Sequence, residues 1–299
     1  MPMPGSGRGT PVRAATKDVH SLQWPASGWG RRRRVPREPC RGQRMKLRTQ
    51  LSLAIAALLL AAAGCGGSAA TDERARTGAL DVFAASSLTG SFTELGKQFE
   101  ARHPRANVKF NFGASSALAG QLAAGAPADV VAMAAETEMK RLSDANLVGP
   151  AKVFATNRLA ILVAKGNPEA IRSLADLARP GLTVVLCAGE VPCGALSEQA
   201  LDRAGVAAQP KSYEANVKAV VSRVTLGEAD AGMVYETDVR AAGAKVEGVE
   251  LAPEQNLTTS YPVAPVKRSP NPRRADAFIS FVLSEAGQRI LADAGFGTP

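Results

Sequence analysis

Histidine is nearly missing from this chain of 299 residues: there are two, and only His103 follows residue 66. A serine hydrolase needs a base held beside its nucleophile. His103 sits in "ARHPRA", behind a predicted helix, and there is no G-x-S-x-G stretch. No C-x-x-C pair occurs among the four cysteines, so a thiol oxidoreductase is not indicated. Both tryptophans, Trp24 and Trp29, lie near the amino terminus, and an excess of one charge sign is missing from most of the chain. The formal net charge is +9, but residues 1–44 hold ten Arg/Lys against Asp18 and Glu38, and Lys46 and Arg48 follow. From Gly66 onward 24 basic side chains face 25 acidic ones. The basicity belongs to the leader, and a nucleic-acid partner is excluded for the body of the protein. Long apolar runs are also lacking: "LSLAIAALLLAAAG" is too short to span a bilayer comfortably.

That run explains itself in context. "MKLRTQ" from Met45 is a basic n-region, the apolar run is an h-region, and "AAGC" ends at Cys65. Small residues before a cysteine resemble the lipobox of bacterial lipoproteins, which implies lipidation of Cys65. Ala62 stands where Leu is usual, and the alternative is an ordinary signal peptide cut nearby, leaving Cys65 a free thiol. Residues 1–44 have no periodicity, and Met45 is expected to be the true start. Residues 45–65 then form a lipoprotein signal peptide, and residues 66–78, "GGSAATDERARTG", a tether between anchor and domain. An exported protein meets an oxidising compartment. In "CAGEVPC" a disulfide between Cys187 and Cys193 is therefore expected over two buried free thiols, stabilising by ~2 kcal/mol through loop entropy.

From Leu80 the pattern alternates strand and helix. "ALDVFAAS", "NVKFNFG", "ADVVAMA", "RLAILVAK", "LTVVLCA" and "DAGMVY" read as strands, and "TTSYPVAPVK" as an extended segment. Between them "TGSFTELGKQFEARH" places Phe92, Leu95 and Phe99 on one helical face, and "PRRADAFISFVLSEAGQRILADAG" reads as one closing helix. Such alternation predicts an α/β fold with mostly parallel sheets.

Several strand-to-helix junctions share one chemistry. "FAASSLTG" puts Ser86 and Ser87 after the first strand, and "FGASSALAG" puts Ser115 and Ser116 after the second. No charged residue lies between Phe112 and Ala128. "EVPCGALSEQAL" opens a helix near Pro192, "YEANVKAVVSRV" another near Val217, and "GMVYETDV" ends a strand at Tyr235. Helix starts carry unpaired N–H groups and partial positive charge, and hydroxyls add directed donors. A converging set makes an anion site without a cation, suited to an anion that has no proton of its own. Singly, a serine at a helix start is most often a cap, and Val217 is a core contact.

Taken in order, these stretches resemble the periplasmic molybdate-binding proteins of ABC importers, within the type 2 periplasmic-binding-protein fold. The resemblance covers about Ala79 to Phe296 and rests on "VFAASSLTGSFTELGKQFE", "FGASSALAGQLAAGAPADV", "EVPCGALSEQAL", "GMVYETD" and "YPVAPV". It implies two lobes, residues 79–156 plus 260–299 and residues 157–259, with the ligand in the cleft between them. It implies that Ser87 and Ser115 give hydroxyl and N–H, that Cys193 and Val217 give backbone N–H, and that the Tyr235 hydroxyl closes the cage. Cys193 stands where Ala is frequent, which spares a main-chain donor. The expected cargo is molybdate or tungstate, with no cofactor and no metal held by side chains. The expected partners are an ABC permease with its ATPase, and a membrane through the Cys65 anchor; a monomer is expected. The rivals are the same fold carrying sulfate or tungstate alone, a sensor or adhesin, and a serine-dependent hydrolase. No Arg for an amino-acid carboxylate lies in these motifs, and Tyr213, Tyr235 and Tyr261 are too few for a tyrosine-built iron site.

Overall fold

The structure, a computed structural model, describes residues 78–299. The leader, the apolar segment, Cys65 and most of the tether lie outside the described residues.

The first strand, β1 (Ala79–Ala85), is buried along nearly its whole length. It is flanked in parallel by β2 (Asn107–Gly113) and β3 (Val130–Ala132). Helix α1 (Thr89–Arg102) packs on this sheet through Phe92, Leu95 and Phe99, each fully buried, as the 3.6-residue spacing predicts. Each such side chain contributes roughly 1.5–3 kcal/mol by leaving water. Helices α2 (Ser115–Ala123) and α3 (Glu136–Asp144) cover another face with Leu118, Leu122, Met139 and Leu142.

Strand β4 (Lys152–Ala164) is longer than its sequence pattern suggests, because it serves two sheets in succession. Residues 152–158 pair antiparallel with β9 (Thr258–Pro265). Residues 159–164 pair antiparallel with β7 (Ala231–Tyr235) and β8 (Val246–Glu250). The second sheet is completed by β5 (Val184–Cys187) and β6 (Ser212–Glu214), parallel to one another, with β5 also parallel to β7. The order is β2-β1-β3-β9-β4-β7-β5-β6, with β8 on β4. The first half is therefore parallel at its outer strands and the second parallel through β7, β5 and β6 but edged by the antiparallel β8, and both are antiparallel where β4 and β9 join. Strand β9 meets β3 only from Val263 on, and β7 meets β4 only from Leu159 on. Around Asn157–Arg158 and Thr258–Thr259 the sheet is thus a ribbon of two strands, while the adjoining Thr156 also exchanges two backbone bonds with Gly297.

Helices α4 (Pro192–Ala204), α5 (Val217–Thr225) and α6 (Glu236–Ala242) surround the second sheet. Its core of Leu159, Ile161, Leu186, Val220, Met233 and their neighbours is separate from the core built on Leu80, Phe92, Phe154 and Phe278. The closing segment is two helices rather than one, α7 (Pro272–Leu283) and α8 (Glu285–Asp293). Ser284 takes an extended backbone and its hydroxyl accepts from Gly287 N at 3.2 Å, so it caps the second helix and ends the first. Among the described residues no helix is long and apolar enough to cross a membrane.

Candidate functional site

The carboxyl ends of β1, β2, β5, β6 and β7 all lead into the junctions singled out in the sequence. Ser87 follows β1 in a short 3-10 turn, Ser86–Leu88. Ser115 is the first residue of α2, directly after β2. Pro192 and Cys193 open α4, Val217 opens α5, and Tyr235 ends β7. Ser87, Ser115, Cys193, Val217 and Tyr235 line one cavity, together with Ser86, Ala114, Ala134, Val191 and Pro192 among others. No lining residue is charged. The cavity is small, about 10 Å3 for the centre of a water-sized sphere, roughly the room of a single water. A larger cavity, about 420 Å3, lies between α1, α6 and α8 and mixes Glu94, Arg240 and Asp293, so it lacks the donor-only character of the small one.

The serines are not caps. No side chain caps α2 or the Ser86–Leu88 turn, and the residues at those cap positions are Ala114 and Ala85. Ser116 accordingly does not serve as the cap either. The Ser115 Oγ instead accepts from Ala134 N at 2.9 Å. That bond occupies a lone pair and leaves the Ser115 proton for another acceptor. The Ser87 Oγ lies 2.9 Å from the Tyr261 Oη. Tyr235 is 1% exposed and its hydroxyl has no hydrogen-bond partner. A buried phenol without a partner costs ~1–3 kcal/mol, which points to an acceptor not present. Burial pushes the Tyr235 phenol well above its ordinary pKa, and the neighbouring Tyr261 and the two thiols push in the same direction. Tyr235 therefore stays protonated and is a donor. The backbone N–H groups of Cys193 and Val217 lie in first helical turns, where the helix supplies no acceptor. Asn216 does cap α5, accepting from Ala219 N at 3.1 Å. The Val217 side chain is buried in the core, so core contact and backbone donor are served by different atoms of one residue.

The expected disulfide is not formed. Cys187 and Cys193 are free thiols, both buried. Cys187 ends β5 and Cys193 lies in the first turn of α4, and the Cys193 Sγ donates to the Met233 carbonyl at 3.4 Å. The hydrogen bond with Cys187, and burial, push the Cys193 thiol well above its usual pKa. The pair is thus satisfied as thiols inside the core.

Four contributors escaped sequence reasoning. Asn157, Thr237, Tyr261 and Gly194 carry no local pattern that marks a site: the first three act through partners distant in sequence, and Gly194 through a close backbone approach. Asn157 Nδ2 donates to Thr237 Oγ1 at 2.8 Å and to Tyr261 Oη at 3.4 Å. A Cβ on Gly194 would stand 2.0 Å from the Ala188 carbonyl oxygen, so only glycine lets the start of α4 close on the end of β5. The "YPVAPV" and "VPCG" stretches contain two of the four, but nothing in their spacing assigns those residues a task.

Two packed halves, joined by a pair of strands, with an uncharged set of donors at the carboxyl ends of their strands, define a ligand-binding protein of the type 2 periplasmic class. Residues 80–297 match the bacterial extracellular solute-binding protein family, and the chain belongs to that family. It is similar to the molybdate-binding protein ModA of Mycobacterium tuberculosis, with 43% identity over 219 residues, 73% of this chain and 84% of the relative. The periplasmic molybdate-binding protein of Azotobacter vinelandii shares the fold, with a TM-score of 0.65 at 22% identity, over 74% of this chain and 99% of that one. So does a sulfate-binding protein of Mycobacterium tuberculosis, with a TM-score of 0.66 at 23% identity, over 73% and 86%.

Proposed function

We propose that this protein captures molybdate, and tungstate with it, outside the cytoplasm and delivers it to an ABC permease. The observation that carries the reading is one cavity without a charged side chain lined by five residues that have donors to offer, the hydroxyls of Ser87, Ser115 and Tyr235 and the N–H groups of Cys193 and Val217. Burying a bare dianion is costly. Charge-assisted hydrogen bonds return about 1.5–3 kcal/mol each, so a full set offsets much of that cost. Donors with no acceptor among them favour an anion that is fully deprotonated at neutral pH. The similarity to ModA supports molybdate as that anion. Ser87 and Ser115 come from one half and Cys193, Val217 and Tyr235 from the other, so the halves must part to admit the anion and close to hold it.

Calorimetric titration of residues 66–299 with molybdate, tungstate, sulfate and phosphate tests the reading. Sub-micromolar binding of the first two and none of phosphate is expected; absence of binding for both would defeat it. Sulfate capture is the second reading, favoured by the shared fold of the sulfate-binding protein. Tight sulfate binding without molybdate would select it. Delivery to a permease whose ATPase acts elsewhere, and anchoring through a lipid on Cys65, complete the proposal. Mass spectrometry of the membrane-extracted protein would show a diacylated Cys65 at its amino terminus, or an unmodified chain.

A further inference from the structure

The hydroxyl of Ser87 reaches past the cavity wall to a buried chain of polar groups at the joint between the halves. Asn157 lies in the two-stranded ribbon and is 3% exposed. Its Oδ1 accepts from Arg158 N at 3.0 Å, which fixes the amide and turns Nδ2 inward. Both Nδ2 protons are then used, one on Thr237 Oγ1 and one on Tyr261 Oη. Tyr261, fully buried on β9, therefore receives a hydrogen bond and still has a proton to place. Asn157 Nδ2 has no lone pair to take it. The remaining acceptor at hydrogen-bond distance is Ser87 Oγ, at 2.9 Å. Tyr261 thus donates to Ser87, and the Ser87 proton must go elsewhere.

We propose that Tyr261 is a positioning residue that fixes the Ser87 hydroxyl as a donor to the bound anion, and so sets the site against oxyanions carrying a proton. This rests on the oxyanion reading above and deepens it. Ser115 is held in the same sense by Ala134 N. A backbone donor is removed only by proline, which also constrains the chain, so Tyr261 is where the polarity of the cage is open to change by a side chain alone. An anion with a P–OH or As–OH group would set its proton against the Ser87 proton. Without the phenol, Ser87 is free to rotate and accept. The hydrogen bond from Tyr261 also polarises the Ser87 O–H, strengthening its donation.

The test is a double-mutant cycle of Y261F and S87A, with binding measured for molybdate, sulfate and hydrogenarsenate. Y261F alone is expected to weaken molybdate about 10-fold, the scale of one hydrogen bond to a charged network. It should also narrow the preference for molybdate over hydrogenarsenate. In the S87A background Y261F should change affinity less than about 2-fold, because the effect passes through Ser87. A purely structural role would instead give equal losses in both backgrounds and leave the arsenate preference untouched; either result overturns the proposal. If the unsubstituted protein binds sulfate rather than molybdate, the cycle is read with sulfate. If it binds no oxyanion, the functional reading and this inference fall together, whereas binding with additive losses overturns the inference alone. Should Y261F not fold, the unsubstituted protein still decides the matter by NMR. A slowly exchanging Tyr261 phenol proton directed at Ser87 supports the proposal, and a Ser87 proton directed at Tyr261 refutes it.

Discussion

Lys218 Nζ lies 2.9 Å from Asp238 Oδ1, and this pair ties together two of the three segments of the second half that reach the cavity. Lys218 follows Val217 at the start of α5, and the other Asp238 oxygen accepts from Tyr235 N at 3.3 Å. The lysine next to Val217 in the chain is thereby neutralised by a carboxylate with no exposure, so the cage keeps its hydrogen-bonding character without acting as a cation. Burial raises the Asp238 pKa, and Lys218 opposes that shift.

Replacing Lys218 by Met should destabilise the fold. Removing one partner of a buried pair costs about 3–5 kcal/mol. The low end applies here, because the Lys218 side chain is 32% exposed and solvent already weakens the pair. The sign with pH follows from the raised carboxyl. An ionised Asp238 is the costly form in the folded state, so the deficit is largest at pH above its folded pKa. It shrinks as acidification protonates Asp238 toward its unfolded value. Urea melts of both proteins from neutral to acid pH should converge; parallel curves would disprove the coupling.

Ser115→Ala and Tyr235→Phe should each weaken molybdate by about 1–3 kcal/mol, the value of a donor to a charged group. Without ligand, Ser115→Ala should lower stability by about 1–3 kcal/mol because it leaves the buried Ala134 N–H unpaired, whereas Tyr235→Phe should raise it slightly by removing an unpaired buried hydroxyl. Because burial keeps the Tyr235 phenol protonated, affinity should be flat from about pH 6 to about pH 9. A titration in that window would show another group at work.

At the start of α4 two neighbouring substitutions should part company. Cys193→Ala leaves the backbone N–H in place and should alter affinity little. Gly194→Ala drives a methyl into the Ala188 carbonyl, displacing the first turn of α4 and the N–H of Cys193 with it. Its loss of molybdate affinity should exceed that of any single hydroxyl deletion, with the melting temperature lowered as well.

The two buried thiols should resist alkylation in the folded fragment of residues 66–299, since the thiolate is the reactive form and Cys193 is held well above its usual pKa. Reductant should leave affinity and melting temperature unchanged. A mass two units low, or a melt sensitive to reductant, would show a bridge.

The junctions at helix starts were legible because each is local, found from the strand that precedes it or the helix that follows, whereas the choice of Ser87, Ser115, Cys193, Val217 and Tyr235 within them came from the family resemblance. Strands β1, β5 and β7 were legible as apolar runs, and α1 from Phe92, Leu95 and Phe99. What stayed hidden depends on partners far along the chain. Tyr261 meets Ser87 across 174 residues, and Asn157 meets Thr237 across 80. Antiparallel pairing of β4 with β9 leaves no mark in either strand's own pattern, since alternation and branching look the same for both directions. The break at Ser284 was masked by good helix formers on either side, and the thiols of Cys187 and Cys193 by a spacing that suits a bridge as well as a core contact.

The narrowing of the sheet to β4 and β9 at Asn157–Arg158 governs how the halves can move. A pair of strands twists more readily than a wide sheet, and on one side of this pair Thr156 is held by two backbone bonds exchanged with Gly297. The ribbon also carries the side chains of Asn157 and Tyr261, whose hydrogen bonds to Thr237 and Ser87 couple the stiffness of the door to the cradle behind it.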